Sequence, residues 1–142
     1  MGCYRMRLDL KPLETVYAGV RFRSRLEARW AVAFDAAGWA WAYEPEAYAL
    51  PSGNYLPDFW LPDFDVWAEV KPQPCVDPRP LEMVAASGSD LWLLCGQPAT
   101  LTPDVTVFWR GEAVIRMEAA HCFWGDAAHR VVRAVNGHRF WP

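Results

Sequence analysis

The sequence predicts an α/β protein. A capped amphipathic helix is indicated at residues 24–38, a β-hairpin at residues 55–71, and a short helix over 81–87 that leads into an apolar strand over 90–95. The first helix follows from the spacing of apolar residues, the hairpin from its turn composition, and the last strand from its continuous apolar run. A strand, a helix and a second strand in this order are typical of an α/β sheet.

The predicted first helix has recognisable ends. Ser24 is a suitable N-cap with Glu27 three residues later, and Gly38 ends the helical pattern. The apolar stripe consists of Leu26, Trp30, Ala33, Phe34 and Ala37. Glu27 lies at the border of that stripe. Its carboxylate has two alternative roles: it completes a capping box, or it reaches over the sheet edge as a metal ligand.

The predicted hairpin brings an aspartate and a glutamate together. Residues 55–61 and 66–71 have strand character, and the segment 62–65 between them contains Pro and Asp, which favour a tight reversal. A reversal centred in that segment places Asp58 directly opposite Glu69. Directly opposed residues on antiparallel strands have Cβ atoms about 4.5–5.5 Å apart, so both carboxylates can bind one ion.

A lysine completes this group. Strand alternation places Lys71 on the same face as Glu69, and only Lys11 and Lys71 among the 14 basic residues are lysines. A lysine orients a nucleophilic water or stabilises charge on a phosphate, and carboxylate oxygens suit Mg²⁺ or Mn²⁺. One alternative is an exposed strand face with an ordinary Glu69–Lys71 ion pair. Asp63 competes for the aspartate role, but it falls in the predicted turn.

These motifs resemble those of the PD-(D/E)XK nuclease superfamily. The resemblance covers about residues 15–100. Within the superfamily, the sequence looks like small phage-type members, and it is similar to junction-resolving phage endonucleases and the restriction-like subunit of some transposases in having the helical glutamate. It implies a restriction-endonuclease-like αβββαβ core with a mixed central sheet. The segments that carry it are Arg23–Glu27, Tyr43–Glu46, Tyr55–Phe59 and Glu69–Lys71.

The resemblance also implies a reaction and a set of residues. Glu27, Asp58 and Glu69 are expected to bind Mg²⁺ or Mn²⁺, Lys71 to complete the catalytic set, and Gln73 to be an accessory residue of the same strand parity. The protein is then a Mg²⁺-dependent deoxyribonuclease that hydrolyses phosphodiester bonds. The alternative is a non-catalytic subunit of the same fold that binds DNA or a partner. The intact Asp-Glu-Lys set favours the enzyme.

The distribution of charge bears on DNA binding. The net charge is −3, which is unusual for a protein that binds DNA. However, seven of the 14 basic residues lie within the first 29 positions, and residues 30–68 contain none. We therefore expect the start of the first helix to contact the phosphate backbone, the alternative being a solvated helix end. The candidate DNA-binding residues are Arg21, Arg23, Arg25 and Arg29.

Composition predicts one domain over residues 1–142. Its core is expected at about 15–100, and an extension over about 101–142 is expected to contain a hairpin (Val105–Trp109 and Ala113–Met117) and a helix (Asp126–Val135). Of 142 residues, 53% are hydrophobic, which argues against disorder. Most of the nine Trp residues lie in predicted strands and helices with core spacing, which disfavours a carbohydrate-binding platform.

The remaining expectations concern location and partners. No apolar run of about 18 residues is present, and the N-terminal segment lacks a signal-peptide core. We therefore expect an intracellular protein, phage-encoded if the resemblance holds, that binds DNA and forms a homodimer or joins a partner subunit. A zinc site drawing on Cys75, Cys95, His121 and Cys122 is an alternative that the wide spacing disfavours.

Overall fold

A mixed β-sheet forms the centre of the protein. The computed structural model describes residues 13–73, 77–98, 104–109, 112–117 and 123–140. Within these residues, helices cover both faces of the sheet. The strands are β1 (Thr15–Tyr17), β2 (Val20–Phe22), β3 (Ala42–Tyr43), β4 (Tyr48–Leu50), β5 (Gly53–Tyr55), β6 (Phe59–Leu61), β7 (Val66–Lys71), β8 (Asp90–Cys95), β9 (Asp104–Trp109) and β10 (Glu112–Met117). The helices are α1 (Arg25–Ala37), α2 (Arg79–Ser87) and α3 (Ala128–Gly137).

The sheet contains six of the described strands in the order β10-β9-β8-β7-β6-β3. Strands β7 and β8 are parallel and are connected through α2, whereas the other neighbouring pairs are antiparallel. The pairs β1–β2 and β4–β5 form separate two-stranded hairpins. The α/β class predicted from the sequence is confirmed. No helix in the described residues is long and apolar enough to cross a bilayer.

Helix α1 begins and ends where the sequence predicts. The Ser24 hydroxyl accepts a hydrogen bond from the backbone N–H of Glu27 at 3.1 Å, and Gly38 adopts the left-handed conformation at φ 80°. The buried surface of α1 extends beyond the predicted apolar stripe. Ala28 and Val32 are buried as well, because α3 packs on a second side of α1 and contributes Val131 and Val135 to the same core.

The central hairpin has the predicted register. Phe59 pairs with Ala68 and Leu61 pairs with Val66, which is the register that places Asp58 opposite Glu69. The reversal occurs at residues 62–65. Asp63 lies in this turn, where its carboxylate accepts a hydrogen bond from the backbone N–H of Ala40 at 2.9 Å. Asp63 therefore has a structural role, as its turn position predicts.

The predicted strand 55–61 is wrong in its extent. Tyr55 ends β5, where it pairs with Tyr48, and β6 contains only Phe59–Leu61. Pro57 interrupts the segment because it has no N–H to donate to a ladder, and it is fully buried. The β4–β5 hairpin, which the sequence analysis does not identify, covers the α2 side of the sheet through Leu50 and Tyr55.

The later elements follow their predictions with shifted ends. Helix α2 begins at Arg79, two residues before the predicted start, because Pro80 fits the first helical turn. Helix α3 begins at Ala128 after a 3₁₀ turn at Gly125–Ala127, and ends at Gly137. The predicted C-terminal hairpin is present as β9 and β10, and it extends the sheet beyond β8.

The packing of α3 on α1 generates a test of folding. Val131 is fully buried between these helices, so Val131→Ala should lower the free energy of unfolding by about 1.5 kcal/mol or more, from about 0.8 kcal/mol per buried methylene plus a cavity. Circular dichroism and Trp fluorescence should report one shifted transition.

Asn136→Ala changes an exposed position of the same helix and should alter stability by less than about 0.5 kcal/mol. A Val131→Ala variant whose melting curve matches that of the Asn136→Ala control would contradict this packing.

Candidate active site

The site lies where strands β6 and β7 separate. Their pairing ends at Phe59, while β7 continues beside β8 for three further residues. Side-chain carboxylates replace the missing ladder bonds. The backbone N–H of Val70 donates to Asp58 Oδ2 at 2.8 Å, and the backbone N–H of Asp58 donates to Glu69 Oε1 at 3.2 Å. The two carboxylates that the sequence predicts to meet are therefore held together by reciprocal hydrogen bonds.

These carboxylates are difficult to ionise. Glu69 is only 6% exposed, and Asp58 is partly buried. Burial raises the pKa of Asp58 well above its usual value, and the negative charges of Glu69 and Glu27 raise it further. Burial likewise raises the pKa of Glu69, although Lys71 and hydrogen bonds oppose the shift. When both carboxyl groups are ionised, the positive charge near them therefore does not neutralise their two negative charges.

Lys71 supplies part of that charge. Its Nζ lies 3.3 Å from Glu69 Oε2, and the two side chains are 13% and 8% exposed. The Glu69–Lys71 ion pair of the alternative interpretation is therefore present, but the expected exposed strand face is wrong, because both side chains are mostly buried. Two carboxylates and one ammonium leave one uncompensated negative charge, before Glu27 is counted.

Glu27 is bound to its own helix cap. Its Oε2 accepts a hydrogen bond from the Ser24 hydroxyl at 2.6 Å, and its Oε1 accepts one from the hydroxyl of Tyr43. Each carboxylate oxygen has a second lone pair, so these bonds leave acceptor capacity for a cation. The charge of Glu27 raises the pKa of Asp58, which places the two groups within electrostatic range.

The predicted three-carboxylate cluster is not assembled. In the part of the chain that the structure describes, no three His, Cys, Asp or Glu side chains are grouped so that they could hold one metal ion. Asp58 and Glu69 come together, whereas Glu27 approaches from α1, on the other face of the sheet from Glu69. The capping interpretation of Glu27 matches its contacts, and its role as a ligand stays a prediction.

A chain of contacts joins the start of α1 to Asp58. The backbone N–H of Arg23 donates to the Tyr43 hydroxyl at 3.0 Å, and Arg23 Nε lies 2.7 Å from Glu44 Oε2. The backbone N–H of Glu44 donates in turn to the carbonyl of Asp58 at 2.8 Å. Burial and the hydrogen bond to Glu27 raise the pKa of Tyr43, so its hydroxyl remains a donor.

The four candidate DNA-binding arginines lie at and before the start of α1. Arg21 pairs with Glu14 at 3.2 Å with both side chains mostly exposed, Arg25 is exposed and Arg29 is partly exposed. Surface ion pairs contribute little free energy, so the pairs of Arg21 and Arg23 do not prevent contact with a phosphate. Their role in DNA binding stays a prediction.

The remaining predicted positions are the accessory residue Gln73 and the alternative zinc site. Gln73 is exposed and lies two residues beyond the end of β7, which ends at Lys71 as the following proline predicts. Three members of the alternative zinc site, Cys75, His121 and Cys122, lie outside the described residues. Cys95, the fourth member, is a buried residue of β8.

Tyr55 and Arg79 also lie at this site, although the sequence did not predict a role for either residue. Tyr55 is 3% exposed, and its hydroxyl has no hydrogen-bond partner among the residues that the structure describes. Burial and the charges of Glu69 and Asp58 raise the pKa of this hydroxyl, so it lies beside both carboxylates. The guanidinium carbon of Arg79 lies 5.1 Å from the centroid of the Tyr55 ring. The only local signal is that Tyr55 precedes Asp58 by three residues.

Comparison of the chain with protein-family models, curated proteins and solved structures gave no match. A pair of carboxylates with raised pKa values, one ammonium and an unpartnered hydroxyl form a polar group inside an apolar fold. Protonation of a carboxyl group or a bound cation would offset the excess negative charge of the ionised pair.

The raised pKa values of the carboxyl pair predict a pH dependence of stability. A carboxyl group with a raised folded-state pKa adds stability below its unfolded pKa of about 3.9–4.3, and this stability is lost as the pH rises through the folded-state pKa. Asp58→Asn removes the charge but keeps an oxygen that can accept from Val70. In the presence of a chelator, this variant should melt at a higher temperature than wild type at pH 8, and the difference should shrink toward pH 4.

The control is Asp65→Asn, which changes an exposed residue of the hairpin turn at φ 57°, a conformation that Asn tolerates. This variant should melt close to wild type at both pH values. Differential scanning fluorimetry measures both effects. A wild-type protein as stable as Asp58→Asn at pH 8 would contradict the electrostatic account.

Proposed function

We propose that the protein is a metal-dependent endonuclease that hydrolyses phosphodiester bonds in DNA. The observation that carries this proposal is the buried carboxylate pair of Asp58 and Glu69, offset by the single ammonium of Lys71. The two carboxylates satisfy backbone N–H groups, but like charges placed together in the interior destabilise the fold. A divalent cation accounts for the arrangement.

The order of the elements supports a restriction-endonuclease-like core. Helix α1, strands β3, β6 and β7, helix α2 and strand β8 follow one another as α-β-β-β-α-β. The first three strands are antiparallel neighbours, and β8 is parallel to β7. The β4–β5 hairpin is an insertion in this order, and β9, β10 and α3 follow it. This is the element order that the family resemblance implies.

The residues present fit Mg²⁺ or Mn²⁺. Mg²⁺ typically keeps several waters and binds only one or two carboxylates, so Asp58 and Glu69 suffice as protein ligands. Glu27 lies within electrostatic range and is the candidate third ligand. Lys71 leaves one negative charge of the ionised pair unpaired, and Glu27 adds a second, so the two positive charges of the ion would balance these two.

A bound divalent ion supplies Lewis-acid polarisation of the phosphoryl oxygen and a water of lowered pKa. The residues of this chain provide the setting for that chemistry. Backbone N–H groups of Val70 and Asp58 fix the orientation of the two carboxylates. Glu69 holds the ammonium of Lys71 in place, where it can orient water or neutralise charge that develops on the phosphate. Burial strengthens each of these interactions.

DNA is the proposed substrate because the start of α1 is basic and lies beside the site. The contacts of Arg23 with Tyr43 and Glu44 connect this basic segment to Asp58. Arginine side chains there can bind phosphates on either side of the cleaved bond. The alternative, a non-catalytic subunit, becomes an outcome of the cleavage test.

The first test of function is a gel assay with labelled duplex, single-stranded and four-way DNA. We expect wild-type protein to cleave with Mg²⁺ or Mn²⁺ and not with a chelator. Lys71→Arg keeps the charge but changes its shape and removes the titratable amine, so cleavage should fall at least about a hundredfold, within the usual range for a proton-transfer group. Metal binding measured by calorimetry should persist in this variant and disappear in Asp58→Asn.

The Asp65→Asn variant is the control for both measurements and should behave as wild type. Binding of DNA without any cleavage would support the non-catalytic alternative. Equal metal binding by wild type and Asp58→Asn would show that the carboxylate pair is not the site. If Lys71→Arg cleaves at the wild-type rate, only the charge at this position matters, and Lys71→Met becomes the stricter variant.

The second test separates the two roles of Glu27. In Glu27→Gln the amide can still bond to Ser24 and Tyr43, so the melting temperature without metal should be nearly unchanged. The amide lacks the negative charge that Mg²⁺ requires. Cleavage should therefore fall at least about tenfold, equivalent to about 1.4 kcal/mol of transition-state stabilisation. Unchanged cleavage would leave Glu27 with a capping role alone.

A further inference from the structure

A second basic group lies on the α2 side of the site. Arg79, the first residue of α2, is held by Asp77 and by the ring of Tyr55. We infer that the Arg79 guanidinium binds a backbone phosphate of the nucleic acid next to the carboxylate pair, and that Asp77 and Tyr55 position it. This inference rests on the proposed function and assigns to it a substrate-binding residue on the opposite side of the sheet from α1.

Asp77 fixes the plane of the guanidinium. Arg79 Nε lies 3.0 Å from Asp77 Oδ1 and 3.1 Å from Oδ2, and Nη2 lies 2.6 Å from Oδ2. The backbone N–H of Arg79 also donates to Asp77 Oδ1 at 3.0 Å. Burial opposes ionisation of Asp77, but the hydrogen bonds from Arg79 outweigh it and lower the Asp77 pKa. The pair is therefore a charged fork with a defined orientation.

Tyr55 supports the other side of the guanidinium. The guanidinium carbon lies 5.1 Å from the ring centroid, within the distance of a cation–π contact. Because Tyr55 is only 3% exposed, its ring is a rigid platform. Burial and the charges of Glu69 and Asp58 raise the pKa of its hydroxyl, so the ring that contacts the guanidinium also lies within electrostatic range of the carboxylate pair.

The electrostatics place this fork at the site. The charge of Glu69 acts on Arg79, and the charge of Lys71 acts on Asp77. Glu69 and Lys71 share the face of β7 that carries Trp67, which packs with α2 and Tyr55. The guanidinium therefore lies on the same face of the sheet as the ammonium of Lys71.

Part of the guanidinium is left for a ligand. Within the described residues, Nη1 of Arg79 takes part in no hydrogen bond, and the side chain is 35% exposed. An arginine that served only to pin α2 would not need this exposure. A planar guanidinium with free donors suits the oxygens of a phosphate, and the nearby ammonium would bind the same backbone.

Salt dependence of DNA binding provides the test. The full-length protein is titrated with a fluorescent duplex in the presence of a chelator, over about 50–200 mM KCl. Arg79→Gln removes one phosphate contact and should weaken binding about tenfold, with the slope of log Kd against log salt reduced by about 0.9. The matched control is Arg133→Gln, which removes one charge from an exposed position of α3, away from α2, and should leave the slope unchanged.

Two variants separate binding from folding. Asp77→Asn keeps the guanidinium but removes the carboxylate that orients it. The affinity for DNA should therefore fall, while the slope of log Kd against log salt is kept. Arg79→Lys keeps the charge but loses the fork, so its affinity should also fall while its salt slope is kept. This variant replaces Arg79→Gln in the test if Arg79→Gln fails to fold. Metal binding by Arg79→Gln, measured by calorimetry, should persist, because Arg79 is not a ligand.

The outcomes distinguish the inference from the function on which it rests. Wild-type protein that neither binds nor cleaves DNA overturns both. If wild-type protein binds DNA and folded Arg79→Gln binds it with the same affinity and salt slope, the inference alone is overturned. If Arg79→Gln does not fold, unchanged affinity in Arg79→Lys and Asp77→Asn overturns it. A lower melting temperature with unchanged binding means that the contact is purely structural and likewise overturns it.

Discussion

The reciprocal hydrogen bonds between Asp58 and Glu69 are the contact on which the site depends. Each carboxylate satisfies a backbone N–H beside the other at the point where β6 and β7 stop pairing. Without these bonds, two buried N–H groups would lack partners, which is costly in the interior of a protein. The same bonds hold the two carboxylates side by side, so that the backbone structure and the candidate chemistry require the same geometry.

This geometry has an electrostatic cost. Burial disfavours the charged form of both carboxyl groups, and each disfavours the charge of the other. Lys71 offsets part of this cost through its ion pair with Glu69. A protein that needed only stability would place apolar residues here, because a well-packed apolar group of similar volume is often as stable as a buried ion pair. The placement of two ionisable groups in the interior is the feature on which the proposal of a bound cation rests.

The two layers of helices serve the site from opposite faces of the sheet. On one face, the start of α1 brings Glu27 and Arg23 toward Asp58 through the hydroxyl of Tyr43. On the other face, α2 brings Arg79 against Tyr55 and toward Glu69. Both connections run through tyrosines that anchor a charged side chain. The carboxylate pair and Lys71 thus lie at the strand pair, and the starts of the two helices place further charged side chains around them.

The sequence by itself determined the local features. The cap at Ser24, the end of α1 at Gly38 and the register that sets Asp58 opposite Glu69 follow from turn chemistry and side-chain period, which act over a few residues. Only the tertiary structure decided the rest. The meeting of Tyr55 with Arg79 requires α2 to pack on the sheet, and the second buried side of α1 requires Val131 from α3. Such contacts join residues distant in the chain, and no local pattern encodes them.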